Sequence, residues 1–597
     1  MLGAAAAGIS GSGQRERLAE AVGRGEDGGM AIESPLDVAE RAAGALAPES
    51  GLVSPDVADF GKALSTALGR AAANPVGTAG ASMALAMKLA RIGPVAVARW
   101  LGVDAEPPVP VDAKDRRFGD PAWTDSPAFF ALRQGYLALR QYGEQLVGAA
   151  GLDAGSEAKA LLALGLVADA LAPTNFLPTN PAALKRAFET GGMSVLRGAR
   201  LLVDDLMNNQ GRPRQVDTRP FVLGENMAAT PCKVVYRNEL MELLQYEPQT
   251  PTVHAAPLLC SPPWINKYYV MDLAPGRSFI EWAVRHNHTV FAISYRNPSA
   301  EMSGITMDDY LVHGPQQALD VIQEITGADT VDIIGLCLGG AMTAITAAYL
   351  TQAGDSRVGT LTLLNTMLDY TEPGQLRLFT GAETVARLEK QMARKGYLEG
   401  VSMAGTFDVL RANDLIFNYV VSNWLMGQDP PAFDILAWNA DSTRMPAAMH
   451  AFYLRSFYVE NKLAKGTLEI AGRTIDLSEI KHETYVVSAE NDHIVPWRSA
   501  YVTTGLVSGP VRFILSSGGH IAGIVNPPGP KGHYLVADSV PASADEWRRL
   551  AARQAGSWWE DWAGWAATNS GELVDPPPMG SAEHPVLAEG PGDYLRT

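Results

Sequence analysis

Three short stretches of this 597-residue chain carry residue types that together could transfer an acyl group. The first is Gly335-Leu336-Cys337-Leu338-Gly339-Gly340, lying between the apolar run 330–336 and a segment of small residues. Strand, tight turn and helix in that order have the form of a nucleophile elbow, with cysteine where serine is usual. Such a turn leaves no room for side chains at Gly335 and Gly339, and the N-terminus of the following helix favours thiolate at Cys337. The second stretch follows the β-branched run 484–488 and offers Asp492. The third follows the run 511–515 and offers His520.

Nucleophile, acid and base in that chain order, the last two on loops after later strands, match an α/β-hydrolase triad. Cys337 is read as the nucleophile, Asp492 as the acid and His520 as the base. Taken singly, Asp492 would serve as an Asx-turn residue and His520 as a hydrogen-bonded loop histidine. Glu490 competes with Asp492, and His493 with His520, but His493 adjoins the acid and would leave the later loop without a role. The oxyanion hole of this fold uses the N–H after the nucleophile, here Leu338, and one from a loop after an earlier strand. Loop 261–267, Ser-Pro-Pro-Trp-Ile-Asn-Lys, supplies Ile265 as the second donor, although it reads equally as a Pro-rich turn.

Cysteine suits acyl transfer for a thermodynamic reason. A thiol attacking an acyl thioester exchanges one thioester for another and keeps the acyl group activated for an alcohol. A serine ester would discard that driving force. An alcohol acceptor must also be protected from competition by water, which a large cap over the site can provide.

The elements that must position these residues are legible in outline. Segments 128–148, 156–171, 181–190 and 195–207 carry apolar residues at helical spacing, with prolines as breaks, and form a helical N-terminal domain over 107–229. From about residue 230 short apolar runs alternate with helical ones, beginning with 255–260, 278–286 and 289–294, which predicts a mostly parallel sheet in a catalytic domain over 230–597. The alternation pauses over 366–480, mainly helical with a hairpin near 468–475, as expected of an inserted cap. Trp558, Trp562 and Trp565 share one helical face and read as core, with a surface-binding role as the rival reading. The fold class is α/β, with an α/β-hydrolase core, a helical cap and a preceding helical domain.

Composition narrows the partners. A net charge of −17 and a pI near 5.1 argue against a nucleic-acid surface. Three scattered cysteines, Cys232, Cys260 and Cys337, argue against a disulfide framework and for a reducing compartment. Cys232 and Cys260 are given no chemistry. Residues 1–106 are an Ala- and Gly-rich leader, partly helical, with Met30 as an alternative start to Met1. The most apolar stretch, 75–101, is interrupted by Lys88, Arg91, Pro94 and Arg99, short of the ~20 apolar residues a membrane span needs, so no transmembrane segment is expected. No CxxC or HExxH spacing marks a metal site, and no glycine loop marks a nucleotide.

Beyond these readings, the chain resembles polyhydroxyalkanoate synthases, closest to the single-subunit class acting on short-chain substrates. The resemblance runs from about residue 117 to 565. It rests on RFGDPAW, PTNFLPTNP, PPWINKYYVMDL, FAISYRNP, GLCLGG, NDLIFNYVV, FDILAWNADSTRMP, ENDHIVPW, GGHIAGIVNPP and GSWWEDW. The family's catalytic cysteine, aspartate and histidine fall on Cys337, Asp492 and His520. The resemblance implies polymerisation of (R)-3-hydroxyacyl-CoA with release of CoA, and no cofactor beyond the thioester substrate. It further implies a homodimer in the cytoplasm on the surface of storage granules, in contact with the growing polyester and with granule-associated proteins. Arg411, Trp438, Asn439 and His493 lie in matching cap and acid-loop motifs and are candidates for the substrate channel, with Arg411 facing CoA phosphates. A cysteine thioesterase of the same fold and a catalytically idle granule-coat protein are the alternatives.

Overall fold

Of the apolar runs that alternate with helices after residue 230, 258–261, 331–336 and 484–489 are buried along their whole length, the pattern of strands covered by helices on both faces. A computed structural model, which describes residues 57–112, 115–400, 411–530 and 532–597, assembles them into one eleven-stranded sheet. In chain order the strands are β1 (Cys232–Arg237), β2 (Met241–Tyr246), β3 (Leu258–Ser261), β4 (Val290–Tyr295), β5 (Val331–Leu336) and β6 (Val358–Leu364). They continue with β7 (Thr484–Ala489), β8 (Val511–Ser516), β9 (His533–Val536), β10 (Ala552–Ala555) and β11 (Ala588–Glu589). Across the sheet the order is β10, β9, β8, β7, β6, β5, β3, β4, β2, β1, β11. The six strands from β8 to β4 are parallel, and the flanking ones antiparallel.

That order contains a reversal. The chain steps from β3 outward to β4, then crosses back over β3 to β5, so the loops leaving β3 and β5 diverge. In open α/β sheets a ligand site forms at such a switch point, beyond the carboxyl ends of the strands. Loop 261–267 and Cys337 both lie there. The hairpin β1–β2, which precedes the first strand identified in the sequence, extends the sheet at one edge. The returning tail then covers β1 with β11, which removes an exposed edge.

The helical domain comprises α1 (Val57–Ala73), α2 (Pro75–Trp100), α3 (Pro127–Gly148), α4 (Ala154–Ala170), α5 (Pro181–Glu189) and α6 (Met193–Asn208). The last four match the segments read from the sequence to within two residues. The start-site question and the leader before residue 57 lie outside the described residues. Residues 57–100, read as the end of a leader, pack onto the helical domain: Ala67 of α1 shares a small core with Val147, Ala150 and Ala160.

Lys88, Arg91, Pro94 and Arg99 do not interrupt α2, because three of these side chains are charged tips on long stems and Pro94 is absorbed within the helix. Among the described residues it is the one helix long and apolar enough to cross a membrane, with a mean hydropathy of 1.3 over its best window. One side lies on α3, where Lys88 donates to Gln141 at 2.5 Å and Ser82 pairs with Tyr142 at 3.2 Å.

Helix α6 lies against the cap, not the sheet. A Cβ on Gly198 would overlap the backbone carbonyl of Trp424, and the Trp424 indole donates to Asp205 at 2.8 Å. The cap fills 366–480, of which 401–410 are outside the described residues, and carries the expected hairpin, Glu469–Ile470 paired with Arg473–Thr474. Behind β5 runs α7 (Leu338–Gln352), and the tryptophan-rich segment forms α8 (Trp558–Asn569). Trp558, Trp559 and Trp562 are fully buried and Trp565 is half-buried, so the stripe is core.

Asp272 shows how tightly this core is wired. Buried beneath the hairpin, it accepts hydrogen bonds from Thr230 at 2.6 Å, Ser278 at 2.7 Å and Tyr246 at 3.4 Å. Burial pushes its pKa up to about 6 despite those donors. A carboxyl whose folded pKa is raised favours folding while it is neutral, and that contribution is lost as pH rises from about 4 through about 6. Asp272→Asn keeps the acceptor without the charge. Its stability should match the wild type near pH 4 and exceed it at pH 7.5 by an amount on the order of 3 kcal/mol, read as a higher thermal midpoint. Parallel curves for the two proteins would refute the assignment.

Candidate active site

Cys337 sits where β5 turns into α7 and holds φ = +49°, a left-handed backbone that a residue with a side chain adopts only under constraint. The constraint is local. A Cβ on Gly335 would stand 2.5 Å from the Gly339 carbonyl and 2.6 Å from Gly340 Cα. One on Gly339 would overlap the Ser261 carbonyl, and one on Gly340 the Thr366 hydroxyl. All three glycines of the motif are therefore required by contact, two of them by elements far away in sequence. The Cys337 N–H donates to the Leu364 carbonyl at 2.8 Å, which ties the turn to the end of β6.

Asp492 and His520 leave the ends of β7 and β8 and meet, with His520 Nδ1 2.6 Å from Asp492 Oδ2 and both side chains fully buried. The other carboxylate oxygen accepts the N–H groups of Ile494 at 2.8 Å and Val495 at 2.9 Å. Thus one Asp492 oxygen closes an Asx turn while the other faces the His520 ring. The rival acid is elsewhere: Glu490 pairs with Arg548 and approaches His533.

Asn365, next after the Leu364 that accepts from Cys337, donates its amide to the His520 carbonyl. Two consecutive residues at the tip of β6 therefore hold the Cys337 turn and the His520 loop. Below that loop, Trp558 donates to Gly523 at 3.1 Å and Trp559 to Ile524 at 2.9 Å. Asn365 is not singled out by the sequence and Trp558 reads there only as core, because nothing in a single asparagine or an aromatic stripe names a partner 35 to 155 residues away.

Leu338 is the first residue of α7, where N–H groups have no intrahelical acceptor. Ile265 lies in loop 261–267, buried throughout, whose Ser261 carbonyl touches Gly339. The cap closes over this loop: Trp438, fully buried, donates to the Lys267 carbonyl at 2.9 Å, and Asn266 bridges Ser442. Asn439 is half-buried beside it.

Arg411 and His493 occupy a different wall. Arg411 is pinned to Asp414 at 2.8 Å and lines a cleft of about 260 Å³ between the cap and α3 and α4, with Arg140 and Asp169. His493 lies near enough that burial, with the Arg411 charge, lowers its pKa to about 4, so its imidazole is neutral at physiological pH. Neither of its ring nitrogens has a hydrogen-bond partner among the described residues. Among the described residues no cluster of three His, Cys, Asp or Glu side chains is placed to hold a metal.

Comparison with known proteins agrees with this architecture. Residues 114–283 match the family model "Poly-beta-hydroxybutyrate polymerase (PhaC) N-terminus", and 267–527 match the alpha/beta hydrolase fold. The poly(3-hydroxyalkanoate) polymerase subunit PhaC of Rhizobium meliloti is 41% identical over 83% of this chain and 82% of its own. The poly(3-hydroxyalkanoate) polymerase of Methylorubrum extorquens is 40% identical over 83% of each. Poly(3-hydroxyalkanoate) polymerase 1 of Ectopseudomonas oleovorans is 39% identical over 81% of this chain and 87% of its own. With a buried cysteine at a strained strand-to-helix turn, an Asp–His pair on the neighbouring strand ends and relatives that align over most of their length, the chain belongs to the poly(3-hydroxyalkanoate) polymerase family, acyltransferases on an α/β-hydrolase core.

Proposed function

We propose that this protein polymerises short-chain (R)-3-hydroxyacyl-CoA, such as 3-hydroxybutyryl-CoA, with Cys337 as nucleophile, His520 as base and Asp492 as its partner. The observation that carries the reading is the division of the Asp492 carboxylate. One oxygen is saturated by two backbone N–H groups and the other faces His520 Nδ1 at 2.6 Å. An ionised carboxylate only accepts, so the imidazole proton resides on Nδ1 and Nε2 is the basic nitrogen.

In the first half-reaction His520 takes the Cys337 proton, the thiolate adds to the thioester carbonyl, and the N–H groups of Leu338 and Ile265 receive the oxyanion. The C–S bond to CoA breaks and the leaving thiolate takes the proton from His520. In the second, His520 takes the proton of a 3-hydroxyl, whose oxygen attacks the acyl-cysteine. An oxoester forms and Cys337 leaves as thiolate, the proton returning to it through His520. Burial of the site beneath the cap supports transfer to an alcohol over loss to water.

The remaining parts of the reading are a substrate channel lined by Arg411, Trp438, Asn439 and His493, no cofactor, a homodimer, and a cytoplasmic location on storage granules with granule-associated proteins. Purified protein given (R)-3-hydroxybutyryl-CoA should release free thiol and accumulate insoluble polyester. Thiol release with monomeric 3-hydroxybutyrate would make it a thioesterase. No release at all would favour a granule-coat role.

A further inference from the structure

Lys267 is the one buried lysine among the described residues, and it ends the loop that carries Ile265. An ammonium has three donors and no acceptor, and out of water each donor needs an oxygen. All three find one. Nζ lies 2.6 Å from the Leu595 carbonyl, 3.2 Å from the Thr597 backbone oxygen and 3.1 Å from Asp441 Oδ1 in the cap. Asp441 also accepts from Tyr269 at 2.9 Å.

The tail that reaches Lys267 is itself fastened. Gly592 lies so close to buried Glu242 that a Cβ would overlap the carboxylate, which accepts the Tyr594 N–H at 2.9 Å. The Tyr594 ring lies between Arg237 and Arg296, each 5.7 Å from its centre, and Leu595 is fully buried. Resting on the function proposed above, we infer that Lys267 is a positioning residue for acyl transfer: its ammonium joins loop 261–267 at once to the cap and to strap 592–597, and so sets the aim of the Ile265 N–H. A donor displaced by a fraction of an ångström loses its worth in the transition state while leaving ground-state binding nearly intact.

The test compares wild type with Lys267→Met, with the chain shortened by residues 594–597, and with both together. Readouts are thiol release from (R)-3-hydroxybutyryl-CoA, thermal midpoint, and the rate at which iodoacetamide alkylates Cys337. Lys267→Met keeps the stem and removes the donors. It should lower kcat roughly tenfold or more with KM within about threefold, and leave alkylation near the wild-type rate. The shortened chain should show the same split. The double variant should lose no more than the worse single one, since both cut one junction.

A kcat for Lys267→Met within about threefold of wild type, or losses that multiply in the double variant, would overturn the inference. Should Lys267→Met fail to fold, Asp441→Asn and the shortened chain decide it, and a wild-type kcat in either one overturns it. Silence of the wild type itself would instead remove the acyl-transfer reading, and this inference with it.

Discussion

Cys337→Ala is expected to lower thiol release from (R)-3-hydroxybutyryl-CoA by about 10⁴-fold or more, with no polyester formed, while the protein melts near the wild-type temperature. The size of the loss follows from the role. Asp492 and His520 would remain in place, but their base would have no proton to take and no covalent intermediate could form. The fold is spared because the turn is held by its three glycines and by the bond from the residue-337 N–H to Leu364, none of which involves the thiol. Cys337→Ser sharpens the point. A hydroxyl is a far weaker nucleophile than a thiolate, and the ester it forms no longer stores thioester energy. The serine variant should therefore turn over slowly, and whatever acyl-enzyme it forms should fall to water in preference to an alcohol. Full activity in Cys337→Ala, measured by thiol release, would end the proposed mechanism.

The second large effect is steric. In Gly339→Ala the added methyl would overlap the Ser261 carbonyl and stand 2.7 Å from Pro262 carbon and oxygen, all backbone atoms of the loop that carries Ile265. Backbone cannot swing aside as a side chain can, so the loop or the helix must move. A cost of roughly 1–3 kcal/mol in stability is expected from overpacking. Because the movement would separate the two N–H groups proposed to receive the oxyanion, thiol release should fall about 100-fold or more.

Gly340→Ala makes a controlled comparison. Its methyl would overlap a side chain, the Thr366 hydroxyl, and lie 2.9 Å from Thr366 Cβ. Combining it with Thr366→Gly should recover much of the lost stability and rate. No single side-chain change should do so for Gly339→Ala. Equal rescue of both variants by Thr366→Gly would show that the two contacts are not as described.

Much of this was written in the sequence because it is governed by neighbours along the chain. A G-x-C-x-G-G turn, the β-branched runs before Asp492 and His520, and the helical spacing of 128–148 each reflect constraints acting within a few residues. They yielded the elbow, the order of the three chemical residues and the boundaries of α3 to α6. Family motifs then extended that reading to the nature of the reaction.

What the tertiary structure alone decided depends on residues brought together across hundreds of positions. Glu490 and Asp492 are two residues apart and alike in charge, and only the folded loop after β7 sends one to Arg548 and the other to His520. Gly340 looks like any helix-start glycine until Thr366 is packed against it. The tryptophan stripe read as core from its spacing, but only the fold shows what it packs on: Phe279 lies against Trp558, and Trp562 donates to Thr362. Lys267 meets Leu595 across 328 residues, and no local pattern marks either as the other's partner. The physical reason is common to all four: constraints between chain neighbours leave a signature in sequence, whereas contacts between distant residues, polar or steric, are settled by which segments the sheet order brings together.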